Sequence, residues 1–201
     1  MVDARPHDAS PHRLPEGQRH VIFLGPAGAG KGTQAAKLAE RLQVPRISTG
    51  DMLRDALAHG TPLGRAAAPY LERGDLVPDD LLIGMIRERI KAPDCAGGYI
   101  LDGFPRTLPQ AEGYEQMVGE DANLLVLNLE VPRAELLKRL SGRGRDDDKD
   151  KAVERRLQEY EDRTRPLIEF YSRRRQLHRV DGFRPVETVY RDLETILEGR
   201  A

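Results

Sequence analysis

The most constraining feature of the sequence is a glycine-rich loop between an apolar run and an amphipathic stretch. Residues 25–33, GPAGAGKGT, follow the apolar residues 21–24 and fit the spacing G-x-x-x-x-G-K, except that Gly32 stands where Ser or Thr usually follows the lysine. Between residues 31 and 42, apolar side chains recur at helical spacing. A strand, a glycine loop and a helix in this order predict a P-loop, in which backbone N–H groups, the helix N-terminus and Lys31 bind a polyphosphate.

Composition limits what else the chain can be. Its 201 residues, 39% of them hydrophobic, suffice for one core and are too few for two large domains. The net charge of -1 gives no basic excess for nucleic acid, so an anion site must be local. Cys95 is the single cysteine, which excludes an intramolecular disulfide and a cysteine-based zinc site.

The N-terminal residues do not have the pattern of a targeting segment. Residues 1–18 lack the apolar stretch of a secretory signal, and no later run is long enough to span a membrane. We therefore expect a cytoplasmic protein with a flexible extension at residues 1–18 and no membrane or nucleic-acid partner.

Short apolar runs recur along the chain and alternate with helical stretches. Further strands are predicted at residues 46–48, 99–101 and 124–129, and near 177–180. This alternation predicts an α/β fold: a five-stranded parallel sheet with helices on both faces and ligands at the carboxyl ends of the strands.

One segment interrupts the alternation. Residues 51–91 contain three helical pieces separated by turns at 59–62 and 73–78, with no strand among them. This pattern predicts an inserted helical flap in a single domain of residues 19–201. The parts of that domain are a flap at 48–77, a short lid at 140–150, and a core formed by 19–47, 78–139 and 151–201.

A carboxylate and an arginine follow one of the predicted strands. Residues 99–102, YILD, predict a buried strand that ends in Asp102, where P-loop proteins keep an acid for Mg²⁺ and its waters. Thr33 is a second candidate on the metal side. The tight turn GFPRT at 103–107 then puts Arg106 beside this site.

Three segments resemble the signature segments of adenylate kinases: GAGKGTQ at 28–34, ISTGDMLR at 47–54, and LDGFPRT at 101–107. The resemblance runs from about His20 to about Leu197. It implies reversible, Mg²⁺-dependent phosphoryl transfer from ATP to AMP, giving two ADP, by direct in-line attack without a covalent enzyme intermediate. It also implies a monomer of the short-lid form, which has no zinc.

The resemblance further implies the residues of the site. Those expected to bind ATP are Gly28, Ala29, Gly30, Lys31, Gly32, Thr33, Arg139, Arg143 and Arg184. Those expected to contact AMP are Thr49, Arg54, Asp75, Leu76, Val77, Gly103, Phe104, Pro105, Arg106, Gln110, Arg145 and Arg156. The expected catalytic residues are Lys31, Arg106, Arg139, Arg143, Arg145 and Arg156. Several arginines are needed because two unit charges at close range repel by about 4 kcal/mol at an effective dielectric of 20.

Two other functions fit parts of the pattern. A kinase for UMP and CMP has the same fold and chemistry, but Thr49 favours AMP, since the resemblance places its hydroxyl near adenine. A P-loop switch or non-catalytic nucleotide-binding module leaves the motifs of Arg54 and Arg106 unexplained, and the sequence has no Asn-Lys-x-Asp motif for guanine.

Overall fold

The structure, a computed structural model, describes residues 20–119, 124–141 and 150–199. Its centre is a five-stranded, entirely parallel sheet with the strand order β2-β3-β1-β4-β5. The strands are β1 (His20–Leu24), β2 (Arg46–Ser48), β3 (Tyr99–Asp102), β4 (Leu124–Glu130) and β5 (Leu177–Asp181). The predicted sheet is confirmed, and Asp102 is the last residue of its strand.

Helices connect and flank these strands. They are α1 (Lys31–Leu42), α2 (Thr49–Ala58), α3 (Pro62–Arg73), α4 (Asp79–Arg89), α5 (Leu108–Val118), α6 (Arg133–Ser141), α7 (Asp150–Glu159), α8 (Pro166–Arg173) and α9 (Val186–Leu197). A short 3₁₀ turn (Pro93–Cys95) and a π-helical turn (Tyr160–Thr164) are also present. Residues 51–91, all of which are described, contain helices and no strand, as predicted. None of the helices in the described ranges is both long and apolar enough to cross a membrane.

The sheet is buried on both faces because successive side chains of a strand point to opposite sides. Along β1, Val21 and Phe23 belong to one hydrophobic cluster, which includes side chains of α1, α6, α7 and α9. Ile22 and Leu24 belong to a second cluster, formed with α2, α3, α4, α5 and α8. Each such fully buried side chain contributes about 1.5–3 kcal/mol to stability. Helices therefore cover both faces, as predicted.

The register of the sheet brings the predicted motifs to one edge. Asp102 lies opposite Phe23 of β1 and opposite Ser48 of β2. Since all the strands are parallel, the loop after β1, the end of β3 and the start of α2 meet at the carboxyl edge. The capping hydroxyl of Ser48 accepts the Asp51 N–H at 3.3 Å and so fixes where α2 begins.

Candidate active site

A cleft of about 910 Å³ lies at the carboxyl edge of the sheet, a volume in the usual range for ligand sites. It brings together most of the residues predicted from the sequence. The predicted residues that line it are Gly28, Ala29, Gly30, Lys31, Gly32, Thr33, Thr49, Arg54, Asp75, Leu76, Val77, Asp102, Gly103, Pro105, Arg106, Arg139, Arg156 and Arg184.

The P-loop forms one end of this cleft. Gly28 and Gly30 have backbone φ angles of +84° and +97°, which residues other than glycine rarely adopt. Directly after them α1 begins, so its N-terminal N–H groups face the cleft with their partial positive charge. The ammonium of Lys31 donates to the carbonyls of Gly25 at 2.7 Å and Pro26 at 2.8 Å. The loop therefore offers convergent donors and a cation to a polyphosphate.

Asp102 is paired with an arginine that the sequence analysis did not assign to the site. Asp102 is buried, and its Oδ2 accepts from Arg46 Nη2 at 2.6 Å and from Arg46 Nε at 3.2 Å. A Cβ atom on Gly32 would lie 3.1 Å from Arg46 Nη2. Gly32 thus leaves space for the Arg46 guanidinium. The presence of glycine at position 32, where Ser or Thr is usual, was the one feature of the sequence that could have indicated this contact.

The donor set beside the P-loop fits a Mg²⁺ ion that is carried by a nucleotide. Mg²⁺ prefers oxygen ligands, keeps several waters, and is commonly held by one or two carboxylates together with substrate phosphates. The Asp102 carboxylate and the exposed Thr33 line the same cleft. Within the described residues, no cluster of three or more His, Cys, Asp or Glu could hold a metal by itself.

The loop after β3 joins the start of α2 through one carbonyl group. Gly103 O accepts from the Thr49 hydroxyl at 2.9 Å and from Arg106 Nε at 2.9 Å. The backbone carbonyl of Arg106 accepts from the Thr164 hydroxyl at 2.9 Å. Arg106 is thus held at both its side chain and its main chain, in a loop whose Phe104–Pro105 peptide bond is cis.

Two residues predicted to contact AMP lie behind the cleft surface. Phe104 and Gln110 are fully buried and do not line the cleft. Gln110 Oε1 accepts the Arg106 N–H at 2.8 Å, and its Nε2 donates to Asp79 Oδ1 at 2.7 Å. In this structure Gln110 supports the main chain of Arg106, and direct contact of either residue with AMP stays a prediction.

On α2, Arg54 shares a carboxylate with Arg46. Arg54 Nη2 donates to Asp51 Oδ1, while Arg46 Nη2 lies 3.1 Å from Asp51 Oδ2. Burial raises the pKa of Asp51, but hydrogen bonds with Ser48 and Arg54 and the charges of the two arginines outweigh it and leave the pKa below its usual value. Asp51 therefore stays ionised between two cations.

Two further predicted arginines line the cleft near the P-loop. Arg139 Nε donates to Glu135 at 2.8 Å, and its Nη1 donates to the Gly182 carbonyl at 3.1 Å. Arg184 pairs with Asp192 of α9 and, at 3.5 Å, with Asp181. These contacts hold both guanidinium groups beside the loop between β5 and α9, next to the P-loop.

One of the three remaining predicted arginines lies within the described residues. Arg156 lies on α7 and lines the cleft, whereas Arg143 and Arg145 lie outside the described residues. Glu159 and Tyr160, at the junction of α7 with the π-helical turn, also line the cleft and were not predicted. A π-helical turn is often found at a functional site, but nothing in the local sequence marks this one.

The flap touches α7 at the start of the loop that is predicted to hold adenine. Asp75 Oδ1 accepts from Arg155 Nε at 2.7 Å, and Oδ2 accepts from Arg73 Nε at 2.8 Å. The hydrogen bond from Arg73 and then that from Arg155 lower the pKa of Asp75. A Cβ atom on Gly74 would lie 2.5 Å from the Ala152 carbonyl oxygen. The flap and the helix that carries Arg156 are thus in direct contact.

Comparison with known proteins agrees with this geometry. A family model described as adenylate kinase matches residues 23–176. The adenylate kinase of Archaeoglobus fulgidus is 42% identical, over 89% of this chain and 98% of its own length. Those of Trichodesmium erythraeum and Thermus thermophilus are 49% and 48% identical, over 84% and 88% of this chain and 92% and 96% of their own. The chain therefore belongs to the adenylate kinase family.

Proposed function

We propose that this chain catalyses the reversible transfer of the terminal phosphoryl group of Mg²⁺·ATP to AMP, giving two ADP. The observation that carries the proposal is that one cleft contains both a P-loop and a second cationic site built from Arg54 and Arg106. A P-loop alone serves many nucleotide-binding functions, whereas two anion sites in one cleft suit transfer between two nucleotides. The names of the relatives support the same reaction.

On the donor side, the N–H groups of the P-loop and of the α1 N-terminus bind the β- and γ-phosphates of ATP. Lys31 adds a positive charge, and its two carbonyl partners keep the ammonium over the loop. Asp102, through water, and Thr33 are the residues that would hold Mg²⁺, which when bound neutralises phosphate charge. Arg139 binds the phosphates of ATP, and the main chain at Arg184 borders its adenine.

On the acceptor side, Arg54 and Arg106 bind the phosphate of AMP. Guanidinium groups suit this role because their planar donors match phosphate oxygens. Thr49 and the main chain of residues 75–77 border the adenine. An AMP oxygen then attacks the γ-phosphorus in line, so the protein needs no nucleophilic side chain of its own.

Arginines from both sides neutralise the charge of the transition state. We assign this role to Arg106, Arg139 and Arg156, together with Arg143 and Arg145. In related phosphoryl transfers an arginine in this position contributes about 10³- to 10⁵-fold in rate. The predicted lid at 140–150, a closing loop that would exclude water, lies mostly outside the described residues and stays a prediction. The monomeric state and the cytoplasmic location stay predictions.

The test is ADP formation from ATP and Mg²⁺ with AMP, CMP, UMP or GMP as acceptor, each against a control without acceptor. We expect turnover with AMP and little with the pyrimidine monophosphates. Activity with UMP and CMP instead would assign the chain to the rival kinase specificity. A rate no higher than the control with every acceptor would favour a non-catalytic nucleotide-binding module.

A further inference from the structure

Arg46 lies between two carboxylates that belong to different halves of the cleft. Its Nη2 is 2.6 Å from Oδ2 of Asp102, at the end of β3, and 3.1 Å from Oδ2 of Asp51, in the first turn of α2. The side chain is 27% exposed, and both carboxylates line the cleft. Nothing in the proposed reaction requires an arginine at this position, so its role is a separate question.

Asp102 is the anchor of this arrangement. Two N–H groups of Arg46 converge on Asp102 Oδ2, and the Asp102 side chain is 10% exposed against 47% for Asp51. A charge-assisted pair is stronger where water is excluded, so the guanidinium is fixed mainly by Asp102. Gly32 leaves the space that this position needs. In this position Arg46 Nη2 also lies within reach of the Asp51 carboxylate.

Asp51 is the residue through which Arg46 reaches the acceptor site. Its Oδ1 accepts from Arg54, which we assign to the AMP phosphate, and its Oδ2 faces Arg46. Without Arg46, the charge of Asp51 would act on Arg54 alone and would compete with the phosphate for that guanidinium. Asp51 would also repel the phosphate more strongly.

We infer that Arg46 is a positioning residue for AMP: anchored on Asp102, it shares Asp51 with Arg54 and so leaves Arg54 available to the AMP phosphate. The inference rests on the proposed function and deepens it, because it names a residue that sets the affinity of the acceptor site without contacting the transferred group.

The test is calorimetric titration of AMP, without ATP and without metal, into the wild type, Arg46→Met, Asp51→Asn and the double variant. We expect Arg46→Met to raise the Kd for AMP about three- to tenfold, as is usual for coupled neighbours. In the Asp51→Asn background, removal of Arg46 should change the Kd less than about twofold. An equal effect in both backgrounds would overturn the inference, because Arg46 would then act on AMP without Asp51.

Two further variants separate the effect of the positive charge at position 46 from a nonspecific effect of replacing an arginine. Arg46→Lys keeps the charge but loses the second contact with Asp102, so its Kd for AMP should lie between those of the wild type and Arg46→Met. Arg41→Met is the matched control, because Arg41 is 31% exposed, pairs with Glu194 at 2.9 Å and does not line the cleft. Its Kd should equal that of the wild type, and a loss like that of Arg46→Met would contradict the inference.

A kinetic measurement completes the design. In Arg46→Met the KM for AMP should rise while the KM for ATP changes less than about twofold. If Arg46→Met does not fold, Arg46→Gln replaces it, because its amide can still donate to Asp102 without a positive charge. Equal rises of both KM values would contradict the inference. A wild type that binds no AMP would instead contradict the proposed function.

Discussion

The cations of the cleft contact protein oxygens in this structure. Lys31 donates to two loop carbonyls, Arg106 to the Gly103 carbonyl, and Arg139 to the Gly182 carbonyl. Each contact restricts a long side chain to one region of the cleft, so less conformational entropy remains to be lost when phosphate binds. Single side chains in this site are therefore positioned before they act.

Lys31→Met should reduce phosphoryl transfer by about 10²- to 10³-fold, because it removes a cation beside the transferring group. The fold should persist, since the loop is shaped by its glycines. ADP formation and thermal unfolding measure the two effects. Lys37→Met is the control, because Lys37 lies on the same helix, pairs with Glu187 at 2.8 Å and does not line the cleft. Near-normal turnover of the Lys31 variant would refute the assigned role.

Arg106→Ala should weaken AMP binding about tenfold or more, which is the usual effect of losing hydrogen bonds to a charged group. ATP binding should change far less, because the P-loop is intact. Separate titrations of the two nucleotides measure the difference, and Arg173→Ala, an exposed residue of α8 paired with Glu169, is the control. Equal weakening of both nucleotides would assign Arg106 to a shared or structural role.

At the scale of helices and strands, the contact between the flap and α7 joins parts that are distant in sequence. Arg155 and Asp75 are separated by 80 residues, and their ion pair lies next to the close approach of Gly74 to Ala152. The ion pair itself is partly exposed, so screening by water leaves it a small contribution to stability. Steric fit at Gly74 therefore matters more for this contact.

Gly74→Ala and Gly60→Ala form a matched pair that tests this contact. Both glycines have positive φ, +74° and +60°, but only at Gly74 would a Cβ meet backbone, since nothing lies within 4 Å at Gly60. Gly60→Ala should lower the free energy of unfolding by about 1–2 kcal/mol, and Gly74→Ala by about 1–3 kcal/mol more. Urea denaturation measures both. Equal losses would show that α7 does not constrain the flap.

Only part of this arrangement could be predicted from the sequence. The sheet, α1 and the three helices at 49–89 were predicted correctly, because the spacing of apolar residues and the positions of glycines and prolines are local signals. The contact of Arg46 with Asp102 spans 56 residues, and that of Arg155 with Asp75 spans 80. Charged side chains of this kind have the same local pattern as solvent-exposed ones, so only the fold reveals their partners.

At the scale of the whole molecule, buried tyrosines make the free energy of unfolding depend on pH in the alkaline range. Tyr99 and Tyr114 are buried, with their hydroxyl oxygens 2.9 Å apart. Burial raises the pKa of Tyr99 to about 12 and holds the pKa of Tyr114 well above its usual value. In the unfolded chain the pKa of tyrosine is about 10. The folded state therefore keeps protons that the unfolded state releases.

The free energy of unfolding should fall as pH rises above about 10, by about 1.4 kcal/mol per pH unit for each such tyrosine until its folded pKa is passed. This contribution to stability is fully present below pH 10 and is lost as the pH rises through about 12. Urea denaturation at pH 9 and pH 11 measures the change, and Tyr99→Phe should reduce it. Equal pH dependence in the wild type and in Tyr99→Phe would contradict the assignment.

The central place of β1 in the sheet has a consequence for how the chain is made. In the described sheet, His20 pairs with Tyr99 on one side and with Leu124 on the other. Strand β1 therefore has no partner strand there until the ribosome has added about 80 further residues, and no second partner until it has added about a hundred. At ordinary rates of synthesis, the wait for the first partner strand lasts about 4–16 s. For that time a strongly apolar segment of the nascent chain is exposed to whatever surrounds the ribosome. The strand that carries the phosphate-binding loop is thus synthesised before both of its neighbours, and it is enclosed in the sheet only after the second of them, β4, has been made.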